Sequence, residues 1–266
     1  MLDVVSLRQN MIINKITNQL DTIITEAPYV CLTLGSGLDS LKDHIMNKKI
    51  LKYDQIKSFL KTKVSGHSGE FIFGYINNVP ILCANGRFHY YEGYSFDEVG
   101  ILQKIFNHYN TKMSIITNSS GCLRLKWRIG EFMIANQLLD YSFIDSSDYT
   151  FYKAQRNKEL FKNINTQNIH FGCYTYTIGP TYETLSEIQD IKSIGGDAVG
   201  MSTFPEFLMC EKLNMNYMII SCLTNYGAGI TKGKVEHSDV LKNAIKNKEN
   251  FCKLIISLVS NYANTK

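Results

Sequence analysis

The sequence predicts an α/β fold in which helices surround one mixed β-sheet. Apolar runs typical of strands buried on both faces alternate with segments whose apolar residues recur at helical spacing. The stretch FIFGYINNVPILCAN predicts a hairpin that turns at Asn77-Asn78, which adds an antiparallel pair to the sheet. No linker rich in Pro, Gly or Ser interrupts the 266 residues, so we predict a single domain over 1–266.

The predicted elements follow one another along the chain. Helical spacing covers residues 5–26, and Ala27-Pro28 ends that pattern. Strands are predicted at 29–34, 71–75, 79–84, 114–118, 169–177, 197–201 and 217–224. Helices are predicted at 38–46, 95–109, 185–194, 205–213 and, as a closing element, 237–266. Because strands and helices alternate, we expect the helices to cover the faces of the sheet.

Composition and charge exclude several classes of protein. Hydrophobic residues make up 44% and charged residues 20%, as in ordinary folded domains. The net charge of +4 comes from scattered Lys and Arg, so we expect no nucleic-acid partner. There is no run of about eighteen apolar residues and no signal-peptide core in residues 1–20, so we expect a cytoplasmic protein without a membrane partner. The seven cysteines include no C-x-x-C pair, which favours reduced thiols over a metal site.

Three polar motifs at the ends of predicted strands could bind an anion. They are Gly35-Ser36-Gly37, His67 within GHSG, and Arg87 within GRFH. Ligands of open α/β sheets bind beyond the carboxyl ends of strands, where backbone N–H groups and side chains are available. A short glycine turn alone is more often only a turn, and a lone Arg is usually solvated. Their shared position at strand ends favours a phosphate site.

Further polar residues suit a small-molecule cleft, although each has an ordinary structural alternative. Residues 88–94 combine aromatic rings, hydroxyls, a histidine and a carboxylate, as the wall of a cleft or a surface loop would. Glu183 precedes a predicted helix, where a carboxylate also stabilises the N-terminus. Asn225 ends a predicted strand before Gly-Ala-Gly, where Asn is common in turns.

Taken in order, seven motifs resemble the trimeric, low-molecular-mass class of purine nucleoside phosphorylases, within the nucleoside phosphorylase/uridine phosphorylase-like superfamily. They are LGSGL, GHSG, GRFHYYEGYS, TNSSG, GPTYETLSEI, GGDAVGMSTFPE and TNYGAG, and the similarity extends from about Leu32 to His237. The resemblance implies a partly barrel-like sheet and a homotrimer. It also implies phosphorolysis, in purine salvage, of 6-oxopurine (deoxy)ribonucleosides such as inosine and guanosine to the base and (deoxy)ribose 1-phosphate. Inorganic phosphate would be the co-substrate, with no metal and no organic cofactor.

The resemblance also implies which residues form the site. Phosphate would be held by Ser36, His67, Arg87, His89, Ser119 and Ser202. The nucleoside would contact Tyr91, Tyr182, Glu183, Val199, Gly200, Met201, Asn225 and His237. Glu183 would accept a hydrogen bond from purine N1–H, Asn225 would contact N7 and O6, and His237 would bond the 5′-hydroxyl. Together with His89, these three are the expected catalytic residues.

The sequence departs from the family pattern at two places. Ser119-Ser120 and Cys122 stand in TNSSGC, where the family commonly has small Ala and Gly residues. Residues 140–157 differ from the usual loop, so the aromatic residue that a neighbouring subunit would lend to the ribose pocket remains open. Its candidates are Phe143, Tyr149 and Phe151.

Two alternative functions remain beside the first. A methylthioadenosine phosphorylase would favour an acidic residue in place of Asn225 and an apolar pocket in place of His237. A non-catalytic nucleoside-binding homologue would not need the phosphate residues Arg87, His67 and Ser202. The sequence leaves open the preference among inosine, guanosine, xanthosine and their deoxy forms.

Overall fold

The computed structural model describes residues 2–62, 68–144, 146–155, 158–231 and 237–264, with the side chains of 2–10, 158 and 237–239 outside this description. Ten strands in these ranges form one sheet. They are β1 (Val30–Leu34), β2 (Met46–Lys52), β3 (Glu70–Ile76), β4 (Val79–Asn85), β5 (Met113–Cys122), β6 (Phe132–Asp140), β7 (Thr150–Lys153), β8 (Ile169–Tyr176), β9 (Ala198–Gly200) and β10 (Tyr217–Tyr226).

Five of the strands close into a barrel. The order β10-β6-β8-β9-β5 returns to its start because β10 also pairs with β5. The sheet then continues from β5 through β1, β4, β3 and β2, and β7 pairs with β6. Both parallel and antiparallel pairs occur, as in β1 with β4 and β3 with β4. The predicted α/β fold with a mixed, partly barrel-like sheet is therefore confirmed.

Helices cover both faces of this sheet. The α-helices are α1 (Leu2–Leu20), α2 (Phe96–Val99), α3 (Ile101–His108), α4 (Leu185–Ile194), α5 (Phe204–Lys212), α6 (His237–Lys246) and α7 (Lys248–Asn264). Short 3-10 helices span Asp39–His44, Tyr53–Gln55, Tyr90–Glu92 and Lys158–Phe161. One apolar cluster joins side chains of α1, α3 and α5 to the sheet, and a second joins those of α6 and α7 to it. Within the described ranges, no helix is long and apolar enough to cross a membrane.

Local sequence explains where α4 begins and ends. The Thr184 hydroxyl accepts a hydrogen bond from the Glu187 N–H, and the Glu187 carboxylate accepts one from the Thr184 N–H at 2.7 Å. This reciprocal cap satisfies two N–H groups that the first turn leaves unpaired. Gly195 ends the helix with φ 111°, a conformation that other residues rarely adopt. The predicted bounds 185–194 are confirmed.

Several element predictions were wrong in informative ways. β2, β6 and β7 were not predicted; β6 contains Asn136-Gln137, and an irregularity between Ala135 and Gln137 interrupts its apolar pattern. Only a 3-10 helix and the start of β2 occupy residues 38–46. Gly100 divides the predicted helix 95–109, and Asn247 separates α6 from α7 in the closing segment. The strand predicted at 114–118 continues to Cys122, while that at 197–201 is limited to Ala198–Gly200.

Strand register brings the ends of four strands to one edge. β1 runs parallel to β4 and β5, with Leu34 opposite Asn85. β5 runs parallel to β10, and a bulge between Leu223 and Asn225 interrupts that pairing. The loops after β1 and β4 and the last residues of β5 and β10 therefore lie together, where a ligand site is expected.

Candidate active site

A cleft lies at this shared edge, and it brings together every predicted site residue whose side chain is described. These residues are Ser36, Arg87, His89, Tyr91, Ser119, Tyr182, Glu183, Val199, Gly200, Met201, Ser202 and Asn225. Gly121, Gly227, Ala228 and Val240 complete its lining and were not predicted. The predicted residue His67 lies outside the described residues. His237 begins α6, but its side chain lies outside the description.

Arg87 is the cation at one end of the cleft. It follows β4, and its guanidinium is 1% exposed. Nη1 donates to the Ser202 Oγ at 3.2 Å, and Nη2 lies 3.3 Å from Oε2 of Glu206, which is fully buried. A guanidinium beside a serine hydroxyl presents several donors to an anion such as phosphate.

A chain of hydrogen bonds runs from β5 to Ser202. Ser120 donates to Oδ1 of Asn118 at 2.5 Å, and Nδ2 of Asn118 donates to the Thr203 hydroxyl at 3.0 Å. The Thr203 and Ser202 hydroxyls are 3.2 Å apart. The backbone of Ser202 is held as well, because its carbonyl accepts from the Tyr174 hydroxyl at 2.9 Å. The Ser120 hydroxyl, a departure from the family pattern, thus fixes the orientation of the Asn118 amide.

The other unusual serine, Ser119, joins two strand ends. Its hydroxyl donates to the Ser36 carbonyl oxygen at 2.8 Å and so ties the loop after β1 to β5. The approach is close, because a Cβ on Gly35 would lie 2.8 Å from the Asn118 Cα. Close packing therefore requires glycine at position 35, and this packing lets the loop that carries Ser36 reach the cleft.

His89 is a neutral imidazole at neutral pH. Burial lowers its pKa, and a hydrogen bond between Nδ1 and Oε1 of Glu92, 3.1 Å apart, only partly opposes that effect. An Nδ1–H that donates to Glu92 leaves Nε2 as an acceptor. The ring stacks on Tyr91 with centroids 4.7 Å apart, and burial raises the pKa of Tyr91 to about 12.

Glu183 presents a carboxylate acceptor in the same cleft. The Thr177 hydroxyl donates to its Oε1 at 2.7 Å, and the Glu183 backbone N–H also bonds the carboxylate, which keeps further lone pairs for a ligand donor. Burial raises the pKa of Glu183, although the bond from Thr177 opposes the change. The alternative role at the helix start is filled by Thr184 and Glu187, which cap α4.

Asn225 presents a donor in the same cleft. Its Oδ1 accepts from the Thr224 hydroxyl at 3.0 Å, and its Nδ2 donates to the Tyr226 carbonyl at 3.0 Å. The second N–H of the amide is thereby available to a ligand acceptor. Gly121 makes room for that ligand, since a Cβ there would lie 3.4 Å from Nδ2 of Asn225 and 3.2 Å from Cγ1 of Val199.

Tyr182 and Met201 form walls of the middle of the cleft. Tyr182 is 39% exposed, so its ring is open at the mouth. Gly179 packs behind this wall at φ 71°, and a Cβ on it would lie 2.5 Å from Sδ of Met201. The apolar side chains suit a flat base and a sugar, while the polar ends suit their charged and hydrogen-bonding groups.

Three supporting residues could not be found from the sequence. Glu206 lies in the first turn of α5, where an acidic residue ordinarily favours the helix start. Asn118 and Thr203 lie in the motifs TNSSG and GGDAVGMSTFPE, but neither motif indicated a role for them. Asn118 bonds Thr203 from 85 positions away and Glu206 pairs with Arg87, so only the fold reveals these contacts.

Comparison with known proteins gives a consistent result. A model of the phosphorylase superfamily matches residues 29–260. Purine nucleoside phosphorylase 1 of Bacillus subtilis (strain 168) is 33% identical over 256 residues, which cover 90% of this chain and 94% of that protein. The enzyme of the same name from Geobacillus stearothermophilus is 33% identical over 254 residues, covering 89% and 92%. A crystal structure of schistosoma purine nucleoside phosphorylase in complex with hypoxanthine matches with a TM-score of 0.81 and 25% identity, covering 93% of this chain and 95% of that one.

The barrel with its extended sheet and the cleft at the strand ends are those of a phosphorylase superfamily enzyme. Within that superfamily, the chain belongs to the purine nucleoside phosphorylases, which are pentosyltransferases. The resemblance expected from the sequence motifs is thus confirmed.

Proposed function

We propose that the cleft catalyses phosphorolysis of 6-oxopurine nucleosides such as inosine and guanosine in purine salvage. The products are the free base and ribose 1-phosphate, or deoxyribose 1-phosphate from the deoxy forms. Inorganic phosphate is the co-substrate, and the reaction needs no metal and no organic cofactor. The hypoxanthine bound in the schistosoma relative is itself a 6-oxopurine, which supports this substrate class.

The presence of Glu183 and Asn225 in the lining of one cleft is the observation that carries the proposal. A 6-oxopurine has a donor at N1–H and acceptors at O6 and N7. The carboxylate of Glu183 complements the donor, and the remaining N–H of Asn225 complements the acceptors. A 6-aminopurine has an acceptor at N1 and a donor at its amino group, so it matches this pair poorly. Asn225 therefore disfavours the methylthioadenosine phosphorylase alternative.

The group of Arg87, Ser202 and His89 in the cleft suits phosphate. Arg87 and Ser202 supply donors, and Nε2 of neutral His89 can accept from a protonated phosphate oxygen. These fixed groups would place the nucleophile against the anomeric carbon of the ribose, which lowers the entropic cost of the attack. Such a phosphate site has no use in a protein that only binds a nucleoside.

The two ends act together in the transition state. As the glycosidic bond breaks, the ribose gains oxocarbenium character and the purine gains negative charge. Phosphate beneath the sugar stabilises the positive centre, and Asn225 stabilises the electron density that gathers at N7 and O6. Interactions that strengthen in this way accelerate the reaction beyond simple binding.

We propose further that the enzyme is a cytoplasmic homotrimer with its sites near subunit boundaries. Support comes from the segment after β6, where Phe143 is 47% exposed and Phe151, within β7, is 39% exposed. Tyr149, between them, is also exposed. Exposed aromatic side chains grouped in one segment are typical of protein interfaces. Which of the three reaches a neighbouring ribose site stays a prediction to be tested.

The experiment is to incubate the purified protein with inosine in the presence and in the absence of phosphate. We expect hypoxanthine and ribose 1-phosphate to form in equal amounts, and only when phosphate is present. No release of hypoxanthine over a broad pH range would contradict the proposal. Release that does not require phosphate would indicate hydrolysis and would contradict it as well.

A further inference from the structure

The buried ion pair between Arg87 and Glu206 lies directly behind the proposed phosphate site. The two side chains are 1% and 0% exposed, and Nη2 is 3.3 Å from Oε2. Arg87 lines the cleft and bonds Ser202, whereas Glu206 does not reach the cleft. Any anion that binds Arg87 therefore shares one guanidinium with Glu206.

Among the described residues, Tyr53 and Cys210 are the groups besides Arg87 that interact with Glu206 and can change charge. Burial raises the pKa of Tyr53 well above its ordinary value, and it raises the pKa of Cys210 in the same direction. Both remain neutral around neutral pH. Among these groups, Arg87 alone therefore compensates the negative charge of Glu206.

The charged residues of the helices packed on α5 are engaged elsewhere. Asp97 of α2 pairs with Lys104 of α3 at 2.6 Å and lies 3.8 Å from Lys212. Glu98 accepts from the N–H and the hydroxyl of Ser95 at the start of α2. These groups are more exposed than Glu206 and supply it with no second cation.

An anion in the cleft disturbs the balance between Arg87 and Glu206. It places a second negative charge near a guanidinium whose own charge is already compensated. Two buried negative charges that share one cation repel strongly, and protonation of one of them relieves that repulsion. Resting on the phosphate site of the proposed function, we propose that Glu206 is a positioning residue that limits anion affinity, and that anion binding drives a proton onto its carboxyl group.

The environment of Glu206 is consistent with proton uptake. Burial raises the pKa of its carboxyl group, and the charge of Arg87 opposes that change. An anion that draws on Arg87 weakens this opposition, so the pKa rises further. In the empty cleft the carboxylate holds Arg87 in place. Because anion binding must be accompanied by protonation of this carboxylate, the anion binds less tightly than it would to an unpaired Arg87, which favours the release of ribose 1-phosphate.

The test is calorimetric titration of the nucleoside-free protein with sulfate. Sulfate is a tetrahedral anion that stays fully ionised around neutral pH, so any proton taken up belongs to the protein. Titrations in two buffers of different ionisation enthalpy give the number of protons bound. We expect uptake by the wild type and none by Glu206→Gln. The variant should bind sulfate about tenfold more tightly, because it lacks the repulsion that shifts the pKa of Glu206 by roughly one unit when the anion binds.

Two variants separate Glu206 from the neighbouring groups that could take up the proton in its place. Glu211→Gln changes a carboxylate on the same helix that accepts from the Tyr217 hydroxyl, and it should keep both uptake and affinity. His89→Gln tests the imidazole as the proton acceptor, and it should retain uptake. Proton uptake that persists in Glu206→Gln would overturn the inference, as would weaker sulfate binding by that folded variant, because a merely structural role predicts weaker binding.

The calorimetric test depends neither on folding of the Glu206→Gln variant nor on cleavage of inosine by the wild type. If Glu206→Gln does not fold, absence of proton uptake in the wild type still overturns the inference. If the wild type fails to cleave inosine, the proposed function falls, but sulfate-linked uptake lost in Glu206→Gln upholds the coupling. If the wild type does not bind sulfate at all, the coupling is refuted.

Discussion

At the scale of single residues, recognition depends on which hydrogen bonds a side chain has already made. The Thr177 hydroxyl and the Glu183 backbone N–H hold the Glu183 carboxylate, whose remaining lone pairs would accept from the proposed substrate. Thr224 and the Tyr226 carbonyl fix which end of the Asn225 amide faces the ligand. A site that is held in one orientation discriminates by leaving the wrong substrate with unpaired polar groups.

Replacing Asn225 by aspartate should shift the enzyme toward adenosine. A carboxylate accepts from the 6-amino group of adenine but repels the O6 of hypoxanthine. We expect the ratio of kcat/KM for adenosine over inosine to rise by about a hundredfold, since one matched polar contact replaces one mismatch. Steady-state assays with both nucleosides at saturating phosphate measure this ratio. An unchanged ratio would count against the role of Asn225 in base recognition.

Glu183 should give the enzyme an acidic limit. Burial raises its pKa, so the carboxyl group becomes protonated at a higher pH than usual. The ionised form that accepts from N1–H is present above that pKa and is lost as the pH falls through it. We expect kcat/KM for inosine to decline on the acid side. The decline should flatten in Glu183→Gln, whose overall rate is lower; an identical acid limb in that variant would refute the assignment.

At the scale of elements, the ends of β5 and β10 hold the two halves of the cleft in register. The bulge between Leu223 and Asn225 turns the end of β10 relative to β5. α6 docks there through Asn243, whose Nδ2 donates to the Thr224 carbonyl at 2.8 Å, and it brings Val240 to the cleft. This strand pair thus carries Ser119 and Asn225, whereas Arg87 and Ser202 follow β4 and β9.

The chain from Ser120 through Asn118 and Thr203 to Ser202 should tune phosphate binding. When the Thr203 hydroxyl donates to the Ser202 oxygen, the Ser202 hydroxyl can donate its own proton to the anion. The hydrogen bonds of this chain also polarise one another. We expect Thr203→Val to raise KM for phosphate about tenfold, with little change in KM for inosine. Thr203→Ser keeps the hydroxyl and serves as the matched control. Equal KM values for phosphate in the two variants would show that the hydroxyl has no such role.

At the scale of the whole molecule, the closed barrel holds the site strands together, and the proposed trimer would form through the segment after β6. The barrel strands β5 and β10 carry site residues at their ends. The exposed aromatic residues follow β6: Phe143 and Tyr149 precede β7, and Phe151 lies in β7 opposite Leu139 of β6. The proposed trimer would bury these side chains.

Light scattering tests the assembly. We expect a mass near three times the 30.3 kDa of the chain. Replacing Phe143 and Phe151 together by serine should lower that mass and reduce kcat/KM for inosine. A monomer that is still fully active would refute the trimer and its shared sites.

Much of the cleft could be predicted from sequence because glycines and polar residues mark the ends of its strands. Ser36, Arg87 and Asn225 all follow or end apolar runs in this way. β6 could not be predicted, since Asn136-Gln137 and a bulge interrupt its pattern. Closure of the barrel depends on that strand, so the sequence pattern alone did not define it.

Supporting contacts were beyond sequence pattern for a different reason. Glu206 is buried only because the fold brings Arg87 to it, and an acidic residue at a helix start ordinarily needs no such partner. The role of the Ser120 hydroxyl depends on its hydrogen bond to the Asn118 amide, two residues away on the same strand. Contacts of this kind depend on side-chain direction and packing, which periodicity does not encode.

Cleavage of 6-oxopurine nucleosides by this cleft can be tested with a panel of nucleosides assayed at saturating phosphate. The panel compares inosine, guanosine and xanthosine with adenosine and methylthioadenosine by kcat/KM. We expect inosine and guanosine to exceed the two 6-aminopurines by on the order of a thousandfold, because Glu183 and Asn225 match only the 6-oxopurine edge. Equal or greater kcat/KM for adenosine or methylthioadenosine, or no phosphorolysis of any of the five, would contradict the proposed function.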